Sequence, residues 1–181
     1  MDERARLLEI IRERSYEERE VTLASGRTST FYIDGKQTTL DPEGAYLVGK
    51  VFYGMIRGKA EAIGGPTVGA DPIVTAVALT SYREGDPIAA FIIRKEPKGH
   101  GKGLWIEGDK ALKKGAKVAI IEDVVTTGGS LLKAIRVAEE HGLKVVQALA
   151  LVDREEGGKE QLAGAGYTLE AVFTRREIVG R

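Results

Sequence analysis

The sequence predicts an α/β fold in which helices cover both faces of a parallel β-sheet. Continuous apolar runs at 118–121 and 148–152 have the length and composition of strands that are buried on both faces. Segments with helical spacing of apolar residues alternate with such runs, an order typical of parallel sheets. The chain has 181 residues, 43% hydrophobic and 30% charged, so it is long enough to bury a core without covalent staples.

The first 40 residues or so are expected to form a small flap, the hood, on an α/β core. Residues 2–14 have the spacing of an amphipathic helix. Two short strands are predicted at 20–24 and 29–33, around the turn 25–27. No linker is long enough to separate a second domain. The apolar face of the first helix comprises Leu7, Leu8, Ile10 and Ile11.

The core is expected to begin with two helices that open on the same dipeptide. Asp41-Pro42 and Asp71-Pro72 each combine a favourable N-cap residue with proline at the first helical position. The second of these helices runs to about Tyr82. The elements predicted after it are strands at 88–93, 117–122, 144–152 and 167–173, and a helix at 129–141.

Composition excludes several kinds of site and partner. The chain has no cysteine, which excludes disulfides, thiolate metal sites and a cysteine nucleophile, and two histidines are too few for a histidine-built metal centre. The 27 Lys and Arg residues balance the 27 Asp and Glu residues, so the basic excess of a nucleic-acid binder is missing. No apolar run approaches the ~20 residues of a membrane span, and the charged N-terminus has no signal-peptide core. We expect a cytoplasmic protein that binds neither nucleic acid nor a membrane.

The strongest chemical signal is the segment VAIIEDVVTTGGSLLKAI at 118–135. A buried strand ends in the adjacent carboxylates Glu122 and Asp123, and a turn rich in hydroxyl groups and glycine follows before a helix begins. Free N–H groups at a helix N-terminus bind phosphate, and open α/β sheets bind ligands at the carboxyl ends of strands. The segment therefore predicts a phosphate site beside two acids; an ordinary tight turn after a solvated strand end is the alternative. The turn residues are Thr126, Thr127, Gly128, Gly129 and Ser130.

A second signal is the cation-rich segment RKEPKGHGKG at 94–103. Its basic residues are interleaved with glycines, a composition that cannot be core and that predicts a mobile loop between two strands. Such a loop suits closure over a multiply charged anion, and a solvated charged hairpin is the alternative. The basic side chains are those of Arg94, Lys95, Lys98, His100 and Lys102.

Together these segments resemble the orotate phosphoribosyltransferases, a family of type I phosphoribosyltransferases. The resemblance covers most of the chain, and the cationic loop combined with the signature for phosphoribosyl pyrophosphate (PRPP) separates this family from the purine phosphoribosyltransferases. The motifs that carry it are SGRTSTFYID at 25–34, GPTVGADP at 65–72, RKEPKGHGKG at 94–103, EDVVTTGGS at 122–130 and DREEGG at 153–158.

The resemblance implies transfer of the phosphoribosyl group of PRPP to orotate, which gives orotidine 5′-monophosphate and pyrophosphate in de novo pyrimidine biosynthesis. It implies one phosphoribosyltransferase domain over residues 1–181, with the hood in about 1–40 and the α/β core in about 41–181. It implies Mg2+ that PRPP mainly carries, without a certain protein ligand. It also implies a homodimer with shared active sites, in which Lys95 is supplied across the interface.

The resemblance further implies roles for individual residues. Lys98, His100 and Asp123 are expected to be catalytic. For orotate the expected contacts are Phe31, Tyr32, Thr126 and Arg154. An arginine can hold a carboxylate with two parallel N–H bonds, whereas Arg154 taken alone reads as a surface arginine. The expected PRPP-binding residues are Arg94, Lys95, Lys98, His100, Glu122, Asp123, Val124, Val125, Thr126, Thr127, Gly128, Gly129 and Ser130.

The chain departs from its relatives at three places, one of which is the pair Glu122-Asp123 in place of the more frequent Asp-Asp pair, and two other functions stay open. Ala24 and Thr28 stand where relatives often carry lysine, and GPTVG lacks the lysine that some members place in the pyrophosphate loop. This loop would therefore bind pyrophosphate through backbone N–H groups. The open alternatives are a phosphoribosyltransferase for a purine or uracil, which Arg154 and the cationic loop disfavour, and a PRPP-sensing transcriptional regulator. A regulator of this kind would need a DNA-reading module and a basic surface, and the sequence indicates neither.

Overall fold

The computed structural model describes residues 2–22, 28–98 and 104–180, and it consists of helices packed on two separate sheets. In chain order the elements are α1 (Glu3–Ile10), a π-helical turn (Ile11–Ser15), β1 (Tyr16–Thr22), β2 (Thr28–Ile33), α2 (Lys36–Thr39), α3 (Pro42–Ile56), β3 (Ala62–Pro66), α4 (Ala70–Arg83), β4 (Ala89–Lys98), β5 (Leu104–Glu107), a 3₁₀ turn (Asp109–Ala111), β6 (Lys117–Val125), α5 (Gly129–Glu140), β7 (Lys144–Asp153), α6 (Gly158–Gly164), β8 (Leu169–Thr174) and α7 (Arg175–Val179).

The larger sheet has six strands in the order β5-β4-β3-β6-β7-β8. Strands β4, β3, β6, β7 and β8 are parallel, and β5 pairs antiparallel with β4 at the edge. The predicted parallel sheet is confirmed for β4, β6, β7 and β8, whereas β3 and the antiparallel edge strand β5 were not among the predicted strands. Since β3 and β6 are neighbours, the loops after their carboxyl ends meet at one edge of the sheet.

Helices cover both faces of this sheet, as predicted. Successive residues of β6 belong to different hydrophobic clusters, because successive side chains of a strand point to opposite faces. Ala119 and Ile121 pack in the cluster that holds the buried residues of α1, α3 and α4. Val118 and Ile120 pack in the cluster built with α5 and α6. None of the helices in the described ranges is long and apolar enough to span a membrane.

The two Asp-Pro dipeptides have different places in their helices. The N-cap prediction is confirmed for Asp41, whose side chain accepts hydrogen bonds from two backbone N–H groups of the first turn of α3. For Asp71 the prediction is wrong, because α4 begins at Ala70 and Asp71 lies inside the first turn. The chain already has helical dihedral angles at Gly69, so no extended residue precedes Asp71 and a side-chain cap cannot form.

The N-terminal elements differ from the prediction in their boundaries. The predicted helix over 2–14 is an α-helix only to Ile10 and then continues as a π-helical turn to Ser15. β1 begins at Tyr16 rather than at residue 20, because its polar first half pairs with the end of β2. The predicted turn at 25–27 lies outside the described residues. β1 and β2 form the separate two-stranded sheet.

Strand β3 was not predicted, because its sequence AIGGP has a single β-branched residue, Ile63, and otherwise consists of alanine, glycine and proline, which are depleted in strands. Its glycines are required by packing instead. A β-carbon at Gly64 would lie 2.2 Å from the ring of Phe91 on β4, and one at Gly65 would lie 2.1 Å from the carbonyl oxygen of Ile121 on β6.

The last predicted strand also differs, since β8 begins at Leu169 rather than at residue 167.

Candidate active site

A cleft of about 570 Å³ opens at the carboxyl edge of the larger sheet. Four segments line it: the start of α2, the turn after β3 (residues 67–69, the 67–69 turn), the middle of β4, and the passage from β6 into α5. Acids and cations face each other across this space. The charged and hydroxyl side chains in its lining include Lys36, Arg94, Lys95, Glu122, Asp123, Ser130 and Lys133.

Glu122 lies at the end of β6, where its carboxylate meets the N-terminus of α5. Burial, and after it the negative charge of Asp123, raises the pKa of Glu122 to about 7. The hydroxyl of Ser130 and the backbone N–H of Leu131 donate to the carboxylate and oppose this rise. A carboxylate in this state gains stability from any ligand that brings further hydroxyl donors or a cation.

Asp123 is held between two glycine backbones. A β-carbon at Gly35 would lie 3.1 Å from both Cβ and Oδ2 of Asp123, and one at Gly69 would lie 2.2 Å from Oδ1. Burial raises the pKa of Asp123, while the N–H of Val124 and the charge of Lys36 act in the opposite direction. The two acids therefore have different surroundings: Glu122 faces α5, and Asp123 faces α2 and the 67–69 turn.

The strand, turn and helix predicted for 118–135 are confirmed as secondary structure. Gly128 is the N-cap of α5 and has φ 85°, in the left-handed region that favours glycine. A β-carbon there would also lie 2.6 Å from Cδ1 of Leu162, so a side chain at position 128 would collide with Leu162. Side chains of Thr127 and Ser130 are exposed, that of Thr126 is half-buried, and that of Val125 is buried in the core.

The cationic segment is partly strand rather than loop, which corrects the expectation for 94–103. β4 extends to Lys98, which pairs with Leu104 of β5, because an antiparallel partner strand follows in the chain. Arg94 Nη1 forms an ion pair with Glu107 Oε1 of β5 at 2.8 Å. His100 and Lys102 lie outside the described residues, and so does the side chain of Lys98.

Lys133 connects α5 to both strands of the β4–β5 pair. Its Nζ donates to the carbonyl oxygen of Lys95 at 3.1 Å. The same ammonium lies 5.2 Å from the ring centroid of Trp105 on β5. Helix α5, which begins at the turn predicted to bind phosphate, is thus linked to β4, which carries part of the cationic segment, and to β5, which follows that segment.

Arg154 directly follows β7 and is only 8% exposed. Its Nε and Nη2 donate to Oε1 of Glu156 at 3.1 and 2.9 Å, and Nη2 also donates to the carbonyl oxygen of Phe31 at 3.3 Å. The guanidinium groups of Arg154 and Arg175 lie 5.5 and 5.1 Å from the ring centroid of Phe31. Two of the predicted orotate contacts, Phe31 and Arg154, are therefore neighbours, although the ring of Phe31 is buried.

A model of the phosphoribosyl transferase domain family matches residues 7–169 of the chain. The orotate phosphoribosyltransferase of Aquifex aeolicus is 46% identical over 183 aligned positions, which cover 99% of each chain. That of Sorangium cellulosum is 46% identical and covers 98% of this chain and 93% of its own. The chain belongs to the orotate phosphoribosyltransferase family. The resemblance predicted from the motifs is confirmed.

Solved structures of orotate phosphoribosyltransferases agree with this assignment. The Mycobacterium tuberculosis enzyme in complex with PRPP has a TM-score of 0.80 and 32% identity, with 98% of this chain and 99% of that chain covered. The Aeropyrum pernix enzyme has a TM-score of 0.82 and 31% identity, with 96% of each chain covered. The predicted fold class, a type I phosphoribosyltransferase-like sheet flanked by helices, is confirmed.

In this member of the orotate phosphoribosyltransferase family, two cleft cations were not predicted from the sequence. Lys36 directly follows the FYID motif and its glycine, and Lys133 lies three residues after Ser130. The helical spacing of Ser130, Lys133, Ala134 and Val137, all of which line the cleft, is a signal that could have identified Lys133. Tyr32 is not among the residues that line the cleft, and the guanidinium of Arg19 lies 4.0 Å from its ring centroid.

Proposed function

We propose that the cleft transfers the phosphoribosyl group of PRPP to orotate and releases pyrophosphate. One observation carries the proposal: a half-buried acid pair, Glu122 and Asp123, lies beside the glycine-capped N-terminus of α5. Such a helix end offers free N–H groups to a phosphate, and adjacent carboxylates accept hydrogen bonds from a pair of ribose hydroxyls. The chemistry of PRPP contains both of these groups in one molecule.

The three parts of PRPP fit three parts of the cleft. The 5′-phosphate is assigned to the turn 126–130, which leads into the N-terminus of α5 and contains two threonines. The ribose hydroxyls are assigned to Glu122 and Asp123. The pyrophosphate then lies toward the 67–69 turn, which runs directly into the N-terminus of α4, and toward the cations of β4.

Catalysis in this arrangement is electrostatic and positional. The bond between the anomeric carbon and the pyrophosphate oxygen breaks, and its electron pair leaves with pyrophosphate. A ring nitrogen of orotate forms the new bond to the same carbon and releases its proton to solvent. The acids stabilise the positive charge that develops on the ribose. Arg94, Lys98 and His100 stabilise the negative charge on the leaving group, together with Lys95 of the partner subunit. No side chain has to act as a nucleophile.

The metal expected for this reaction is Mg2+. No group of three or more His, Asp or Glu side chains within the described ranges could hold a metal ion by itself. The acid pair nevertheless fits a cation that arrives with the substrate, because burial of Glu122 and Asp123 disfavours their ionised forms. Oxygens of PRPP would hold most of the coordination sphere, and the metal would neutralise charge on pyrophosphate.

Recognition of orotate is assigned to Arg154. Its guanidinium already holds one carboxylate, that of Glu156, through Nε and Nη2. The same donors suit the carboxylate of orotate, which uracil and the purine bases lack. Phe31 contributes the backbone carbonyl that fixes Nη2, and Thr126 follows the strand residue whose carbonyl accepts the N–H of Arg154.

The same proposal includes a homodimer with shared sites. A groove of about 790 Å³ runs between α3 and α4, and Val68, which is 59% exposed, lines both this groove and the cleft. Within the described residues Oδ1 of Asp71, also in the groove, is buried without a hydrogen-bond partner. A second copy on the groove would cover apolar surface and lie next to the active site. The exposed apolar side chains lining it include Leu40, Tyr46, Val68 and Leu79.

The test is the release of pyrophosphate from PRPP by the purified chain in the presence of Mg2+, with orotate, uracil and adenine compared as acceptors. We expect release with orotate and only background release with the other two bases. Release with adenine or uracil but not with orotate would replace the proposal with one of the alternative phosphoribosyltransferases. The cytoplasmic location expected from the sequence stays a prediction.

A further inference from the structure

Lys36 lies at the wall of the cleft next to the acid pair, outside every motif role assigned above. It is the first residue of α2 and lines the cleft together with the 67–69 turn and Asp123. Its neighbour Gly35 packs directly against Asp123, where a β-carbon would lie 3.1 Å from the Asp123 carboxylate. The start of α2 is therefore fixed against the acid that is assigned to the ribose.

The ammonium of Lys36 is held in place by a hydrogen bond and carries a positive charge. Its Nζ donates to Oδ1 of Asp34 at 2.6 Å, and the backbone N–H of Lys36 donates to the same oxygen at 3.1 Å. Gln37 Nε2 donates to the other oxygen of Asp34 at 3.2 Å. The hydrogen bond to Asp34 raises the pKa of Lys36, and the charge of Asp123 acts in the same direction. The side chain is 42% exposed, so a ligand in the cleft can reach it.

The neighbouring wall of the cleft has no charge of its own. The 67–69 turn consists of Thr67, Val68 and Gly69, none of which is cationic. Two other cations in the cleft already have contacts across the β4–β5 pair: Arg94 with Glu107, and Lys133 with Lys95. Among the described residues that line the cleft, Lys36 is the cation whose charge acts on Asp123, whereas Arg94 and Lys95 belong to β4 and Lys133 to α5. A pyrophosphate group seated at the 67–69 turn would therefore meet Lys36 on its Asp123 side.

We propose that Lys36 binds the pyrophosphate group of PRPP. In the free enzyme its ammonium pairs with Asp34, and on binding it donates to a pyrophosphate oxygen beside the 67–69 turn. The exchange needs only rotation of an exposed side chain, because the backbone of α2 stays packed against Asp123. Lys36 would stabilise the charge that grows on pyrophosphate as it leaves.

This proposal rests on the proposed function, and direct titration with inorganic pyrophosphate and Mg2+ separates the two. The variants are Lys36→Ala, Lys36→Arg and the control Lys59→Ala, an exposed lysine in the turn that leads to the opposite end of β3. We expect Lys36→Ala to weaken pyrophosphate binding about tenfold or more, the scale for a lost hydrogen bond to a charged group. Lys36→Arg should restore most of this binding, and Lys59→Ala should bind as the unsubstituted enzyme does.

The pyrophosphate titrations use isothermal titration calorimetry, and orotate binding to each variant is measured by the same method. We expect it to be unchanged in Lys36→Ala, whose melting temperature should also stay close to that of the unsubstituted enzyme because the lost ion pair is exposed. Equal pyrophosphate affinity in Lys36→Ala and the unsubstituted enzyme would overturn the role of Lys36, as would a loss confined to orotate. If the unsubstituted enzyme binds no pyrophosphate, the proposed function itself fails. If Lys36→Ala unfolds, Lys36→Arg decides: normal stability with weak pyrophosphate binding would also overturn the proposal.

Discussion

Gly69 and Asp123 are in direct contact: a β-carbon at position 69 would lie 2.2 Å from Oδ1 of Asp123 and 2.4 Å from its Cγ. The turn after β3 therefore forms one side of the pocket that holds this carboxylate. Because Gly69 has φ −65°, the requirement for glycine comes from space and not from backbone conformation. The contact joins the element proposed for pyrophosphate to the acid proposed for the ribose.

Gly69→Ala is expected to displace the carboxylate of Asp123 and to lower turnover by about 10²-fold, as removal of one electrostatic contact to a transition state does. Asp123→Asn should give a loss of the same scale with little change in stability. Steady-state kinetics at saturating PRPP and orotate measures the effect. A Gly69→Ala variant with normal turnover would show that Asp123 does not need this position.

Gly54→Ala is the matched control for that substitution. Gly54 lies in α3, and a β-carbon there would have no neighbouring atom within 4 Å. Turnover should be unchanged. Thermal unfolding should show a slight gain in stability, since alanine is favoured over glycine in a helix by roughly 0.5–1 kcal/mol.

The raised pKa of Glu122 predicts a pH-dependent stability. Because the pKa is about 7 in the folded chain and 4.5 ordinarily, the folded state binds the proton more tightly than the unfolded state does. This contribution to the free energy of unfolding is complete below pH 4.5 and is lost as the pH rises through about 7. Glu122→Gln cannot ionise, so its stability relative to the unsubstituted enzyme should increase over this range.

Urea unfolding at several pH values between 4.5 and 8 measures this difference, with Glu140→Gln, an exposed glutamate at the end of α5, as the control. A difference between Glu122→Gln and the unsubstituted enzyme that stays constant with pH would contradict the assigned surroundings of Glu122. Turnover of Glu122→Gln should be low at every pH, since the ribose loses one of its acceptors.

Arg154→Ala is expected to raise the KM for orotate roughly 10- to 150-fold, the range for losing a hydrogen-bonded charged pair. The KM for PRPP should change little. Arg175→Ala is the control, because Arg175 contacts the same ring of Phe31 and lies 3.9 Å from the carboxylate of Glu156. An equal rise in the KM values for orotate and PRPP in Arg154→Ala would show that this arginine is structural.

The shared-site dimer predicts complementation between two inactive variants. Lys95→Ala and Asp123→Asn subunits are dissociated, mixed and reassociated. Each mixed dimer then has one site with both defects and one site with neither, so up to half of the sites in mixed dimers should work. If subunit exchange is demonstrated and activity stays at the background of the parents, Lys95 serves its own subunit.

Local patterns were sufficient to predict much of the fold and the reaction. The strand, turn and helix around Glu122 and Gly128 lie close together in the chain, so hydrophobic runs and glycine positions identify them. The N-cap at Asp41 was predicted for the same reason. Strand β3 was not, because its glycines are required by Phe91 and Ile121, which are distant in sequence.

The sequence by itself determined the family, the parallel sheet, and the acid pair with the turn predicted to bind phosphate. The pattern that predicts each of them consists of residues that are neighbours in the chain. Only the tertiary structure decided that Lys36 lies beside Asp123 and that Arg154 is held by Glu156 and Phe31. These contacts depend on the sheet order, which puts β3 next to β6, and on the packing of the segment after β2 against the end of β6. Electrostatic contacts act through space, so spacing along the chain cannot reveal them.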